Sequence, residues 1–422
     1  MNGGLSMVEM KSGYKMTEVG VIPEDWEVKE LSSISEIKSG KRLPKGSLVT
    51  SSKTPYPYIR VIDMNMGYLK LSDIMYVPEN VQPMISKYII SKNDIYISVA
   101  GTLGLVGKIP EELDGANLTE NANRITEIQC NRDYLMYYMM SPLIQNVIEA
   151  ERTIGAQPKL ALQRIRDFYI VLPRDNREQA AIAAALSDVD SLISALTKKI
   201  EKKKAIKLGL MQQLLTGKKR LPGFNDKWKS MLLGDIAEVK DGTHQTPQYV
   251  KSGGKPFYSV ENVTADDFKN VKHISLEEHK ALTSNYRIEK GDVLMTRIGS
   301  IGCCKYVDWD VDASFYVSLA LLKINEKYDS KFISYLSNIK SFKEEVMLNS
   351  LVFAIPQKIN LGNISLIKVY IPTSKAEQTA IANILSDCDS EIAALEEKRD
   401  KYKEIKQGMM QQLLTGKIRL IK

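Results

Sequence analysis

The sequence predicts a mixed α/β fold of the α+β kind, built twice. Two globular domains are separated by two long antiparallel helices forming a coiled-coil-like spacer, related by an internal pseudo-twofold repeat. Three observations predict it. Residues 178–221 recur 199 positions later as residues 377–420, with 29 of 44 positions identical. In each copy apolar residues step by four and three, the seam of helices packed along their length. Ahead of each copy, short runs rich in Tyr, Ile and Val are broken by Gly, Pro and Asn, which reads as strands and turns.

Taken in order, residues 1–174 are expected to form the first globular domain with its N-terminal segment. Residues 175–218 are the first long helix, 219–373 the second domain and 374–422 the second long helix. The first seam is Ile182, Leu186, Val189, Ile193, Leu196 and Ile200; the second is Ile381, Leu385, Cys388, Ile392 and Leu395. Each helix starts after a proline with a candidate capping box, Asp175 with Glu178 and Ser374 with Glu377. Each ends near a glycine, Gly217 or Gly416, suited to a left-handed cap. About 38 residues at 1.5 Å each give roughly 57 Å of helix. If the second domain begins and ends close together, the second helix must run back along the first. The domains repeat more weakly: Tyr88–Gly104 aligns with Tyr286–Gly302, and Asp25-Trp26 with Lys227-Trp228.

The chain has 422 residues, 44% apolar and 26% charged, enough apolar material for more than one core and too much for general disorder. No uninterrupted apolar run approaches the ~20 residues of a membrane span, and the first residues carry no apolar leader core. Four cysteines, two of them adjacent, make no disulfide framework. The expected location is the reducing cytoplasm. A net charge of +7 permits a polyanionic partner without requiring one. The Lys run at 198–207 reads as a solvated helix face.

Catalytic signatures are missing. There is no phosphate-binding G-x-x-x-x-G-K-[ST] and no dinucleotide G-x-G-x-x-G. Cys130, Cys303, Cys304 and Cys388 are scattered, and His273 and His279 lack partners at ligand spacing, so no metal site is expected. There is no N-P-P-[YF] loop for a flipped adenine. One nuclease-like pattern exists: Glu36-x-Lys38 after Asp25, and Glu238-x-Lys240 after Asp226. The same triplet recurs elsewhere in this charged chain.

Binding features stand out more. Lys38, Lys41, Arg42 and Lys45 follow one strand; Thr243, His244, Gln245, Gln248 and Tyr249 occupy the matching place in the second half. Gln157 and Lys159 match Gln357 and Lys358, and Arg297 precedes Gly299. Such groups can reach phosphates and base edges. One framework carries two dissimilar loops, as expected of a scaffold reading two half-sites.

In this order of parts the chain resembles the specificity subunit of type I restriction–modification enzymes. The resemblance is carried by Glu178-Gln-Ala-Ala-Ile through Leu-Leu-Thr-Gly217, its copy at 377–416, Asp241-Gly-Thr-His244, Gly223 to Trp228 and Val19 to Trp26. It implies two target-recognition domains, each reading half of a bipartite double-stranded DNA site. It implies helices that set the spacer and dock two modification (methyltransferase) subunits, joined by restriction subunits that are ATP-dependent translocases and nucleases. S-adenosylmethionine, ATP and Mg²⁺ would then sit on those partners, with no cofactor or catalytic residue in this chain. Two other readings stay open here: a self-sufficient metal-dependent nuclease, and a coiled-coil scaffold without nucleic acid.

Overall fold

The computed structural model describes residues 12–151, 159–351 and 353–421. They fall into two compact units, Met1–Leu196 with Lys398–Lys422, and Thr197–Glu397. Each unit therefore takes one half of each long helix, Asn176–Leu214 and Lys375–Leu413.

In the first unit a four-stranded antiparallel sheet runs in the order Glu36–Ser39, Ala122–Thr126, Ile95–Ser98, Val106–Lys108. Ile95–Ser98 reads IYIS and is buried throughout, because both faces of the sheet are covered. A second four-stranded sheet contains one parallel pair, Pro57–Ile59 beside Ala116–Leu118. Trp26–Glu30 pairs with Tyr169–Pro173, so that Trp26 faces Pro173. The helix Arg132–Met140 is apolar almost all round, and it is correspondingly buried from Tyr134 to Met140. Asn131 caps it by accepting the Tyr134 N–H at 2.9 Å.

The second unit repeats this plan. Its main sheet runs Ala237–Asp241, Leu319–Ile324, Val293–Thr296, Cys304–Tyr306, again with a fully buried third strand. Lys255–Tyr258 and Ser314–Phe315 form the parallel pair. Trp228 faces Pro372 as Trp26 faces Pro173. Asp329 caps Ser330–Leu336 through the Phe332 N–H at 2.8 Å.

Residues identical between the repeats make the same contacts twice. Gln179 accepts the Asn131 N–H and donates to the Pro173 carbonyl, both at 2.8 Å; Gln378 does the same with Asp329 and Pro372. Tyr137 and Lys406 both donate to Asp190, each at 2.8 Å. Tyr335 and Lys207 meet on Asp389 in the same way. Within the second unit Lys203 pairs with Glu391 at 2.7 Å and Lys204 with Glu396 at 2.6 Å. The helix halves in each unit are therefore antiparallel. Part of the Lys run at 198–207 is spent on these pairs rather than left as a solvated face.

The capping boxes do not form as the spacing suggested. Glu178, 1% exposed, accepts from Trp26 Nε1 at 3.2 Å and from Arg419 Nε and Nη2 at 2.5 and 2.7 Å. Glu377, fully buried, accepts from Trp228 Nε1 at 3.4 Å and from Arg220 Nε and Nη2 at 2.6 and 2.8 Å. Each guanidinium also lies over its tryptophan, 5.6 Å from Trp26 and 5.9 Å from Trp228. A bidentate arginine outcompetes a single backbone N–H for a carboxylate. The glycine caps do form: Gly217 and Gly416 both have φ +69°.

The seam is only partly a helix-to-helix surface. Ile182 and Leu186 pack into the first unit's own core together with Met410, Leu413 and Leu414. Ile381 and Leu385 do so in the second unit with Met211, Leu214 and Leu215. Leu196, Ile200 and Ile392 are buried; Val189, Ile193, Cys388 and Leu395 are half-buried. By length and composition the first helix is also apolar enough over one stretch to cross a membrane, which the residue-by-residue reading missed. Its carboxylates Glu178 and Asp190 are held by protein partners instead.

Candidate nucleic-acid interface

In the second unit three loops converge at one end of the main sheet. There the strand Ala237–Asp241 leads into the loop bearing Thr243, His244, Gln245, Gln248 and Tyr249. Val293–Thr296 leads into the turn Gly299–Gly302, and the third loop carries Gln357 and Lys358. The loops are tied to one another. Thr243 bridges to Tyr316, and Ile298 to Lys358. The Gly299 N–H donates to the Gln357 carbonyl at 2.8 Å.

Gly242 is required by this closeness, since a Cβ there would stand 2.4 Å from the Tyr316 carbonyl oxygen. Its counterpart Gly40 is as tight, with a Cβ position 2.0 Å from the Thr119 oxygen. The glycine in each loop root thus lets two backbones approach.

Arg297 does not present its guanidinium to solvent as a reading residue would. It is 7% exposed, bonds Asp241 through Nη1, and donates from Nε to the Ile359 carbonyl at 3.3 Å. It anchors the loop root rather than contacting a ligand. Asp241 also meets His244 Nε2 at 2.8 Å. Tyr286 donates to the Asp241 carbonyl, and burial raises its hydroxyl pKa. Outward from this anchor His244, Gln245, Gln248, Gln357 and Lys358 are exposed, and Thr243 is half-exposed. Tyr249 is 47% exposed, with the Lys272 ammonium 4.9 Å from its ring centre.

The first unit builds the same place with different chemistry. Lys41, Arg42 and Lys45 are exposed on the loop after Glu36–Ser39, whereas Lys38, expected after the strand, is an exposed residue within it, paired in register with Arg124. Lys38 pairs with Glu36 and holds its carboxyl below the usual range. Arg42 bonds Glu120 at 2.5 Å. Burial works against the Glu120 charge, but Arg42 and nearby hydrogen bonds outweigh it and lower its pKa. Lys159 is exposed and bridges to Ala100, as Lys358 bridges to Ile298. Gln157 lies outside the described residues. Sequence reading missed the groups that fix these loops, Asp241 and Glu120. Their signal was an acid beside basic or polar residues.

Of the acids in the nuclease-like pattern, Glu36 pairs with the lysine of its own triplet. Asp25 is held by Arg419 at 2.7 Å, and Glu238 pairs with Lys240. Among the described residues no group of three or more His, Cys, Asp or Glu is placed to hold a metal ion.

Comparison with known proteins agrees with this architecture. The family model of the type I restriction modification DNA specificity domain matches twice, over residues 23–207 and 225–407. The type I restriction enzyme MjaX specificity subunit of Methanocaldococcus jannaschii is 29% identical over 97% of each chain. The MjaVIII specificity subunit of the same organism is 24% identical over 94% of each. The crystal structure of the type I restriction–modification S subunit from M. genitalium shares the fold. It has a TM-score of 0.59 at 18% identity, covering 92% of this chain and 96% of that one. With two family domains in tandem, the chain belongs to the type I restriction–modification DNA specificity family, and it is a specificity subunit with two target-recognition domains.

Proposed function

We propose that each target-recognition domain reads one half of a bipartite double-stranded DNA site through the loops at one end of its main sheet, and that the two long helices set the spacing. One observation carries this reading. The two units share the strand order of the main sheet and the register of the Trp26 and Trp228 strand pairs, yet the matched loops carry Lys and Arg in one and hydroxyl, imidazole and amide groups in the other.

The first loop set, Lys38, Lys41, Arg42, Lys45 and Lys159, suits phosphates and guanine edges. The second, Thr243, His244, Gln245, Gln248, Tyr249, Gln357 and Lys358, suits amide-to-adenine contacts with phosphates alongside. The helix surfaces dock two methyltransferase subunits, and restriction subunits join them, in the cytoplasm. Chemistry belongs to those partners, with S-adenosylmethionine, ATP and Mg²⁺; this chain neither methylates nor cleaves.

The test starts from the methylated adenines of the source genome, which display the bipartite motif. Replacing Thr243, His244 and Gln245 by Ala should then weaken discrimination in one half-site only, at ~1–3 kcal/mol for each lost bidentate base contact. Equal loss at both half-sites would overturn the modular reading.

A further inference from the structure

We propose that Phe353 and Ile355 form an apolar wedge which the second recognition domain inserts between stacked bases of its half-site; the inference rests on the DNA-reading function above. Phe353 is 98% exposed and Ile355 100% exposed. Every other phenylalanine in the chain is buried or half-buried. Folding gains nothing from leaving these two side chains in water, so the favourable burial they can supply is left for a ligand.

The turn that carries them is held at its foot. The Leu351 N–H donates to the Lys358 carbonyl at 2.9 Å, and the Ala354 N–H to the Leu351 carbonyl at 3.0 Å. Asn363 Nδ2 donates to the Asn349 carbonyl at 2.8 Å. Beyond the foot, Ile359 is fully buried, and its N–H donates to the Arg297 carbonyl at 2.9 Å. Arg297 is the anchor of the Thr243–Tyr249 loop, so the turn and the polar reading loops share one support.

The surroundings favour DNA as the occupant. Lys358 and Gln357 stand exposed at the foot, a cation and an amide suited to phosphate and base edge. Two side chains are far too little for a stable protein interface, which needs on the order of 1,600 Å². They are enough for a wedge, because proteins that unstack a base step do so with one or two residues such as Phe, Leu or Ile.

The experiment uses the full chain purified with its methyltransferase subunits. The probes are duplexes bearing the methylated motif, with 2-aminopurine placed in turn through the second half-site and its flanks. Binding should raise 2-aminopurine fluorescence at one step, away from the methylated adenine. Phe353→Ala should abolish that rise and weaken binding about ten-fold, within the range known for losing one aromatic–base stack. Ile355→Ala should do so to a smaller degree, and discrimination in the first half-site should not change. Both side chains are exposed, so an unchanged melting temperature shows that the fold is intact. A Phe353→Ala protein that keeps the rise and the affinity would overturn the wedge. So would sensitivity to replacing thymine with deoxyuridine without any unstacking, which would make these residues methyl contacts. Failure of the unaltered protein to discriminate the second half-site would overturn the DNA-reading function itself, and the wedge with it.

Discussion

Glu178 and Glu377 are carboxylates removed almost completely from water, so each depends on the arginine that reaches it. Leaving a buried charge without its partner costs about 3–5 kcal/mol. Arg419→Met should approach the lower end of that range, because Trp26 still donates to Glu178. Urea unfolding of Arg419→Met against Glu178→Gln/Arg419→Met reads this directly. The double variant should recover part of the loss, and no recovery would mean that the carboxylate is not the source. Asp25 gives a pH signature. The Arg419 hydrogen bond holds its carboxyl below the usual range, so its contribution exists above about pH 4 and fades as pH falls through the depressed value. Asp25 is largely exposed, so the effect is small: Asp25→Asn should be slightly less stable near neutrality and should lose less on acidification. These roles were not legible in the sequence. An S/D-x-x-E spacing looks the same whether the glutamate turns back to the helix or across to an arginine 241 residues away.

Among the elements, the long helices were the most legible, because a 3.6-residue period and a terminal glycine are local properties. What their apolar stripe faces is not local, which is why Ile182 and Leu186, expected on a partner helix, were not also expected in the domain core that they share with that helix's Met410 and Leu413. Leu196, 7% exposed, remains a test of the seam. Leu196→Asp buries a charge at a cost of several kcal/mol. It should abolish co-purification of the methyltransferase subunits, and an intact complex would show that the middle of the helix is not part of the docking surface. Gly217 tests the cap. Its φ is +69°, and a Cβ would meet the Trp228 ring at 3.3 Å. Gly217→Ala should cost about 1 kcal/mol in a thermal melt, with DNA discrimination unchanged.

At the scale of the whole molecule, duplication was plain in the sequence, and so was the place where the copies diverge. Within that place only composition could be read, so Arg297 was grouped with the ligand-facing residues although the fold buries it. If the helices set the half-site spacing, four residues added after Ala195 and four after Asp400 lengthen the pair by roughly 6 Å. At ~3.4 Å per base pair, the preferred spacer should grow by one or two base pairs with both half-sites unchanged. Methylation of a library of spacer lengths decides it, and an unchanged preference with full activity would remove the helices from that role. The split of the chain between units has a further consequence, for synthesis. The second unit is one uninterrupted stretch, whereas the first waits for Lys398 onward, Arg419 included. Although chains generally fold from the N-terminal domain during translation, here the later-made unit has all its parts first. Until Arg419 leaves the ribosome, the earlier one holds a Glu178 without its arginine and a core lacking Met410, Leu413 and Leu414. A nascent chain held with residue 400 just clear of the ribosome would therefore offer chaperones its oldest half, not its newest.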